Sequence, residues 1–169
     1  MKIAIIAAMD KNRGVGKDNK IPWHITEDLV HLKNLTKDHV VILGRKTYES
    51  MSWYYDRSGR PMPGKLYIAV TRDINYKPTR ENATAANSLE EALRKASRIS
   101  GAEEVFINGG AQMFEEGIVK ADRLYLTIVE GDYDVDTYFP DYSMFKTVIS
   151  EEKHVSKEGC KFKFLVLER

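Results

Sequence analysis

Asp28 is the first residue whose type and surroundings point to chemistry. It falls in the opening turn of a helix-period segment, bordered by Trp23, Ile25, Leu29 and Leu32. A carboxylate against those side chains must be paired or hydrogen-bonded, or it takes up a proton. An acidic residue that simply complements a helix dipole after a Thr26 N-cap, with Glu27 beside it, would occupy the same position. The company Asp28 keeps decides between the two.

That company handles phosphate. The apolar run Val40 to Leu43 enters Gly44-Arg45-Lys46-Thr47, and Val105 to Ile107 enters Asn108-Gly109-Gly110-Ala111-Gln112. A helix start reached through glycine offers unpaired backbone NH groups and a positive dipole end. Two such starts in one sheet suit a dinucleotide pyrophosphate, with Arg45 and Lys46 adding charge and the Thr47 hydroxyl a donor. Either turn alone is equally a tight turn that needs glycine for a positive φ. The chain has neither GxGxxG nor a Walker A sequence, so the usual Rossmann and P-loop readings do not apply. Thr71 and Arg72 end a third run, and a hydroxyl next to a guanidinium suits the extra ribose phosphate of NADPH; a solvated strand-end arginine is the plainer alternative.

These residues need a sheet to hold them. Continuous apolar runs at Ile3 to Met9, Val40 to Leu43, Leu66 to Thr71 and Val105 to Ile107 read as buried parallel strands, alternating with helix-period segments. Helices are predicted over Glu27 to Thr36, Arg45 to Met51, Leu89 to Ser97 and Ala111 to Val119, the third opened by a Ser88–Glu91 capping box. The polar segment with Gly14, Gly16 and Asn19 reads as a loop, and Trp53 to Gly59 as a loop insertion. From Arg123 the pattern changes to alternation, with strands at Leu124 to Val129, Phe145 to Ser150 and Lys161 to Leu167, so an antiparallel hairpin closes the sheet. The fold class is α/β.

With 169 residues, 43% of them hydrophobic, the chain suits one folding unit without disulfides or structural metal. A formal net charge of +1 gives no long-range pull on nucleic acid. The apolar start is too short to span a membrane and has no cleavage site after it, so a cytoplasmic location is expected. Cys160 lies in a strand pattern and reads as a small buried hydrophobe, and the four His show no zinc spacing. No metal is assigned.

Taken in order, Ile5 to Ala8, Gly16 to Trp23 (GKDNKIPW), Asp28-Leu29 with Lys33, LGRKTYES from Leu43, GRPMPGK from Gly59, Thr71-Arg72, GGAQ from Gly109, LYLT from Leu124 and DTYFP from Asp136 resemble bacterial dihydrofolate reductase over essentially the whole chain. The resemblance implies a single domain over residues 1–169, with a mixed, mainly parallel eight-stranded sheet, a C-terminal antiparallel hairpin and four flanking helices. It implies NADPH-dependent reduction of 7,8-dihydrofolate to 5,6,7,8-tetrahydrofolate, with hydride passing from nicotinamide C4 to pterin C6 and N5 protonated from water. Asp28 would accept hydrogen bonds from the pterin 2-amino group and N3, supported by Thr127, with Trp23 contacting an ordered water nearby. Ile6, Ala7, Leu32, Met51, Met62, Lys65 and Asn108 complete the implied substrate site. Ala8, Val15, Gly16 and Ile21 would meet the nicotinamide end of the cofactor. Gly44, Arg45, Lys46, Thr47, Thr71, Arg72 and the stretch Asn108, Gly109, Gly110, Ala111, Gln112, Met113 and Phe114 would hold the rest. Residues Gly14 to His24 would form a loop closing over the nicotinamide, steadied by the Asp136 loop. Antifolate inhibitors are implied as ligands, and a monomer is the default.

The chain departs from the family pattern at several positions. Lys65 stands where most members have Arg for the glutamate-tail carboxylate, Asn108 replaces an aliphatic residue, Gln112 replaces a common Arg, and Trp53 to Ser58 is longer than the pattern. Arg57 or Arg60 from that segment is the competing source of a tail contact. Another reductase of the same fold would not be expected to pair the helix Asp with the Ile21-Pro22-Trp23 run, and a silent nucleotide-binding domain would not keep Asp28 with an intact Gly109-Gly110 pair.

Overall fold

The computed structural model describes residues 1–99 and 101–169. Its elements run β1 (Lys2–Asp10), β2 (Gly14–Gly16), α1 (Thr26–Thr36), β3 (Val40–Gly44), α2 (Arg45–Ser58), β4 (Leu66–Val70), β5 (Ala83–Ala86), α3 (Leu89–Ser97), β6 (Glu104–Ile107), α4 (Ala111–Gly117), β7 (Arg123–Val129), β8 (Thr137–Tyr138), β9 (Thr147–Val155) and β10 (Lys161–Glu168). Eight of the strands form one mixed sheet in the order β5-β4-β3-β6-β1-β7-β10-β9. Every neighbouring pair from β5 to β7 is parallel, and β10 runs antiparallel to both β7 and β9. The expected α/β sheet with its closing hairpin is therefore present.

The central strands are apolar throughout because both faces are covered. Ala4 and Ile6 of β1 pack with Phe106 and with Leu32 and Leu35 of α1. Ile5, Ala7 and Met9, the alternate residues, join a cluster with Leu89, Ala92 and Ala96 of α3 and Met113 and Phe114 of α4. Val41 and Leu43 meet Tyr48, Met62 and Tyr67 under α2. Two helices thus cover each face, and successive side chains of β1 and β3 join opposite clusters as the pleat requires.

Several local expectations are corrected. Helix α1 starts at Thr26, and its N-cap is Ile25, extended at φ −131° and without a side-chain cap. Helix α2 does not stop near Met51: Trp53 to Ser58 is helix, closed by Gly59 at φ 69°. Arg80 braces this added length, donating to Ser52 Oγ at 2.9 Å and to Asp56 Oδ1 at 2.5 Å. Tyr48, Met51, Ser52 and Tyr55 share the inward face at helical spacing, which makes the extension amphipathic rather than looped. Strand β5 went unread because Ala83–Ala86 has a single β-branched residue. The loop after β1 contains β2, paired antiparallel with β8. Strand β9 reaches Val155 with all nine residues exposed, so no alternation marked it. Helix α4 ends at Gly117, two residues short of Val119. The Ser88 cap of α3 is as expected, with Glu91 N donating to Ser88 Oγ at 3.1 Å.

Candidate active site

The parallel strands end at one edge of the sheet, and the residues singled out for chemistry gather there. Ligand sites in open α/β sheets form at the carboxyl ends of the strands, where helix starts and loops converge. In this chain β6 runs between β3 and β1, so the turn Asn108-Gly109-Gly110 opens between the ends of those two strands.

Asp28 lies in the first turn of α1, half-buried, and accepts a hydrogen bond from Thr127 Oγ1 at 2.6 Å. Thr127 is buried on β7 directly across from Ala8 of β1. Burial pushes the Asp28 carboxyl above its ordinary pKa, and the Thr127 hydroxyl, which favours the charged form, offsets part of that rise. The result is a desolvated carboxylate with one strong donor on one oxygen and the rest of its acceptor capacity available. Such a group suits a planar ligand edge carrying adjacent N–H donors.

The two glycine turns meet. Gly44 N donates to Gly109 O at 2.7 Å. A Cβ on Gly110 would stand 3.2 Å from Thr47 Oγ1, and one on Gly109, at φ 95°, would stand 3.2 Å from the Phe114 ring. The Gly109-Gly110 peptide bond is cis. Helices α2 and α4 start at Gly44 and Gly110 with no side-chain cap and no acidic residue in the first turn. Neither first turn therefore sets a carboxylate against its leading NH groups, and Lys46 is exposed at the start of α2. That donor set fits a dinucleotide pyrophosphate.

At the third strand end Thr71 is half-buried and Arg72 exposed. Arg45 does not stand alone: its Nε donates to Glu49 Oε1 at 2.7 Å. Gln112 is exposed and donates to Glu116 Oε1 at 2.8 Å, and Ala111 lies half-buried before it.

Among the expected lining residues, Ile6 and Leu32 share one cluster on the α1 side of the sheet. Met62 is buried beside half-buried Met51 under α2. Ala7 is different: its side chain belongs to the opposite-face core, so only its backbone can reach a ligand on the α1 side. Met113 and Phe114 are likewise core residues, bearing on Gly44 and Gly109 respectively. Asn108 is half-buried and its NH donates to Ile42 O at 2.8 Å. Lys65 is exposed at the start of β4, its NH donating to His39 O at 2.8 Å. Ile21 is 63% exposed, extended from the loop rather than packed.

The loop after β1 is anchored at both ends. Buried Asp10 accepts from Asn12 N and Gly14 N, each at 2.8 Å. Beyond β2, Asp136 accepts from Asp18 N at 3.0 Å and Lys17 pairs with Asp134 at 3.5 Å. Val15 packs against the main core, and Gly16 O accepts from Asp136 N at 2.9 Å. Trp23 lies half-buried, edge-on to Tyr133 with ring centres 5.1 Å apart. Tyr133 Oη is 3.8 Å from Cys160 Sγ, which makes Cys160 a half-buried neighbour of this contact rather than a fully buried hydrophobe. Sequence reasoning missed Asp10, Tyr133 and Glu49. The spacing Asp10-x-Asn12-x-Gly14 carries an Asx-turn signal that could have revealed the first; nothing local distinguishes Tyr133.

A family model described as dihydrofolate reductase matches residues 2–169. The chain is 41% identical over 142 residues to the type 3 dihydrofolate reductase of Salmonella typhimurium, covering 84% of this chain and 80% of that protein. It is 38% identical over 172 residues to the dihydrofolate reductase of Bacillus subtilis, covering 99% and 94%. A solved dihydrofolate reductase from Enterococcus faecalis, complexed with NADP(H) and RAB-propyl, superposes with a TM-score of 0.83 at 29% identity, covering 99% of this chain and 96% of that one.

Proposed function

This chain belongs to the dihydrofolate reductase family, and from that premise we propose that Asp28, Thr127 and the two glycine turns are the working parts of its site. The reaction is the NADPH-dependent reduction of 7,8-dihydrofolate to 5,6,7,8-tetrahydrofolate. When bound, the reduced nicotinamide supplies the hydride for pterin C6. The chain's own residues bind, orient and keep water under control.

Asp28 accepts from the pterin 2-amino group and N3, and the Thr127 hydroxyl holds its carboxylate in the right orientation. The observation that carries this reading is the 2.6 Å Thr127–Asp28 hydrogen bond at the carboxyl edge of the sheet. A charge kept from water exerts a stronger field on its ligand, so Asp28 favours the protonated pterin and raises the proton affinity of N5. Its place on the pyrimidine edge makes it an orienting and electrostatic group, with water delivering the N5 proton. Ile6, Leu32, Met51 and Met62 offer an apolar wall to the ring and benzoyl group, and Lys65 a cation for the glutamate tail. Gly44 to Thr47 and Gly109 to Gln112 hold the pyrophosphate; Arg45, Thr71 and Arg72 take the 2′-phosphate; Ala8 and Val15 offer backbone groups to the carboxamide. The Gly14 to His24 loop covers the nicotinamide end, with half-buried Trp23 packed inward and exposed Ile21 free to close on the cofactor.

Folate-like inhibitors should compete at the same carboxylate. The reading is of a cytoplasmic, monomeric, one-domain enzyme whose partners are small molecules; no helix among the described residues is long and apolar enough to cross a membrane. The test is loss of reduced-nicotinamide absorbance when protein, NADPH and dihydrofolate are mixed, with Asp28→Asn run in parallel. Turnover in the parent and severe loss in the variant support the assignment; NADPH binding without turnover sinks it.

A further inference from the structure

Arg45 heads α2 between two carboxylates and an aromatic ring. Its Nε donates to Glu49 Oε1 at 2.7 Å, one helical turn on. Its Nη1 lies 3.4 Å from Asp73 Oδ2, and its guanidinium carbon stands 4.1 Å from the centre of the Tyr76 ring. Asp73 is set in place by its own turn: its NH donates to Thr71 Oγ1 at 3.2 Å, and its Oδ1 accepts from Asn75 N at 2.9 Å. The turn that supplies the second carboxylate therefore also engages Thr71, another residue assigned to the cofactor's ribose phosphate.

Two carboxylates beside Arg45 offset the positive charge that it and neighbouring Arg72 offer to a phosphate dianion. We propose that Glu49 and Asp73 are specificity-determining residues that weaken the hold of Arg45 on the 2′-phosphate, narrowing the preference for NADPH over NADH. This rests on the reading that Arg45 meets that phosphate. The alternative source of charge at α4 is missing, because position 112 is Gln and its side chain is turned to Glu116. The carboxylates act chiefly through charge rather than by positioning Arg45, since the Tyr76 face still supports the planar guanidinium when either is neutralised. Glu49 and Asp73 are about half-exposed, so solvent screens each of them and each effect is a small factor.

The experiment is calorimetric titration of the full chain with 2′,5′-ADP and with 5′-AMP, which differ only in the 2′-phosphate. Glu49→Gln and Asp73→Asn should each tighten 2′,5′-ADP by about threefold, and the double variant by about tenfold, with 5′-AMP unchanged. The gain should shrink as ionic strength rises. Weaker or unaltered 2′,5′-ADP binding, or an equal gain for 5′-AMP, overturns the proposal. Arg45→Gln separates the two levels of the argument. If it weakens 2′,5′-ADP while the carboxylate variants do nothing, the cofactor site stands and the role of Glu49 and Asp73 falls. If it leaves 2′,5′-ADP binding intact, the placement of the phosphate at Arg45 falls as well.

Discussion

Replacing Thr127 by Val keeps the shape of the side chain and removes the proton it gives to Asp28. At 2.6 Å this is a short O–H···O⁻ bond, of the charge-assisted class worth about 1.5–3 kcal/mol. Burial already raises the Asp28 pKa, and Thr127 is the group that restrains the rise. Without it the carboxylate loses more stabilisation than the neutral acid, whose oxygen accepts a weaker bond from the same hydroxyl. The proton equilibrium of Asp28 therefore moves toward the acid. The ionised form accepts from the pterin, so kcat/KM for dihydrofolate falls as pH drops through the Asp28 pKa, and in Thr127→Val this limb moves to higher pH. The loss is large on the acid side of the profile and shrinks on the alkaline side. Steady-state kcat/KM across the pH range, with Thr127→Ser expected to restore the limb, provides the assay. A loss of the same size at every pH, with the limb unmoved, would refute the link between this bond and Asp28 ionisation.

Other consequences follow from the same geometry. Because the folded-state pKa of Asp28 lies above its unfolded value, the fold prefers the protonated form; that contribution is fully present below the unfolded pKa and is lost as pH rises through the folded one. Asp28→Asn should therefore raise the Tm at neutral pH, with the advantage vanishing in acid, while turnover collapses; thermal melts at both pH values check the sign. Gly109→Ala forces a side chain to φ 95° and within 3.2 Å of Phe114, so it should cost about 1–2 kcal/mol or more and weaken NADPH binding. Gly59→Ala, at φ 69° with nothing within 4 Å, should show only the backbone strain in a denaturant melt and leave the cofactor's Kd alone. Gly14→Ala puts a methyl 2.6 Å from Asp10 Oδ2 and Val135 Cγ2; pushing β2 from β8 should slow the hydride step in stopped-flow more than it lowers the Tm. Lys65→Arg should lower the KM for dihydrofolate by restoring a two-pronged carboxylate contact, and an unchanged KM counts against a role for Lys65 at the glutamate tail.

The four central apolar strands were legible because burial on both faces leaves runs that no surface segment has, and the Ser88 cap of α3 because Ser88 and Glu91 are local chemistry. What escaped was decided by distant partners. Ala83–Ala86 becomes a strand only because β4 offers it an edge. Trp53 to Ser58 continues a helix because Arg80, more than twenty residues on, ties down Ser52 and Asp56. The part of β9 beyond the expected Ser150 is exposed and is held by β10 alone. At the site, Asp28 was visible from its apolar neighbours, and the glycine turns from their position after strands. That Thr127 faces Asp28 came from the family resemblance rather than from spacing, since the two are 99 residues apart. Tyr133 and the carboxylates around Arg45 needed the fold.

The position of β1 also shapes how the chain comes off the ribosome. It lies between β6 and β7, with Lys2 opposite Glu104 and Ala4 opposite Arg123. A strand made almost entirely of Ile, Ala and Met therefore waits for more than a hundred residues to be synthesised before either neighbour exists. At ordinary elongation rates that interval is roughly 5–20 s. Throughout it the nascent protein carries an unpaired apolar strand, which is a ready ligand for chaperones that meet emerging chains.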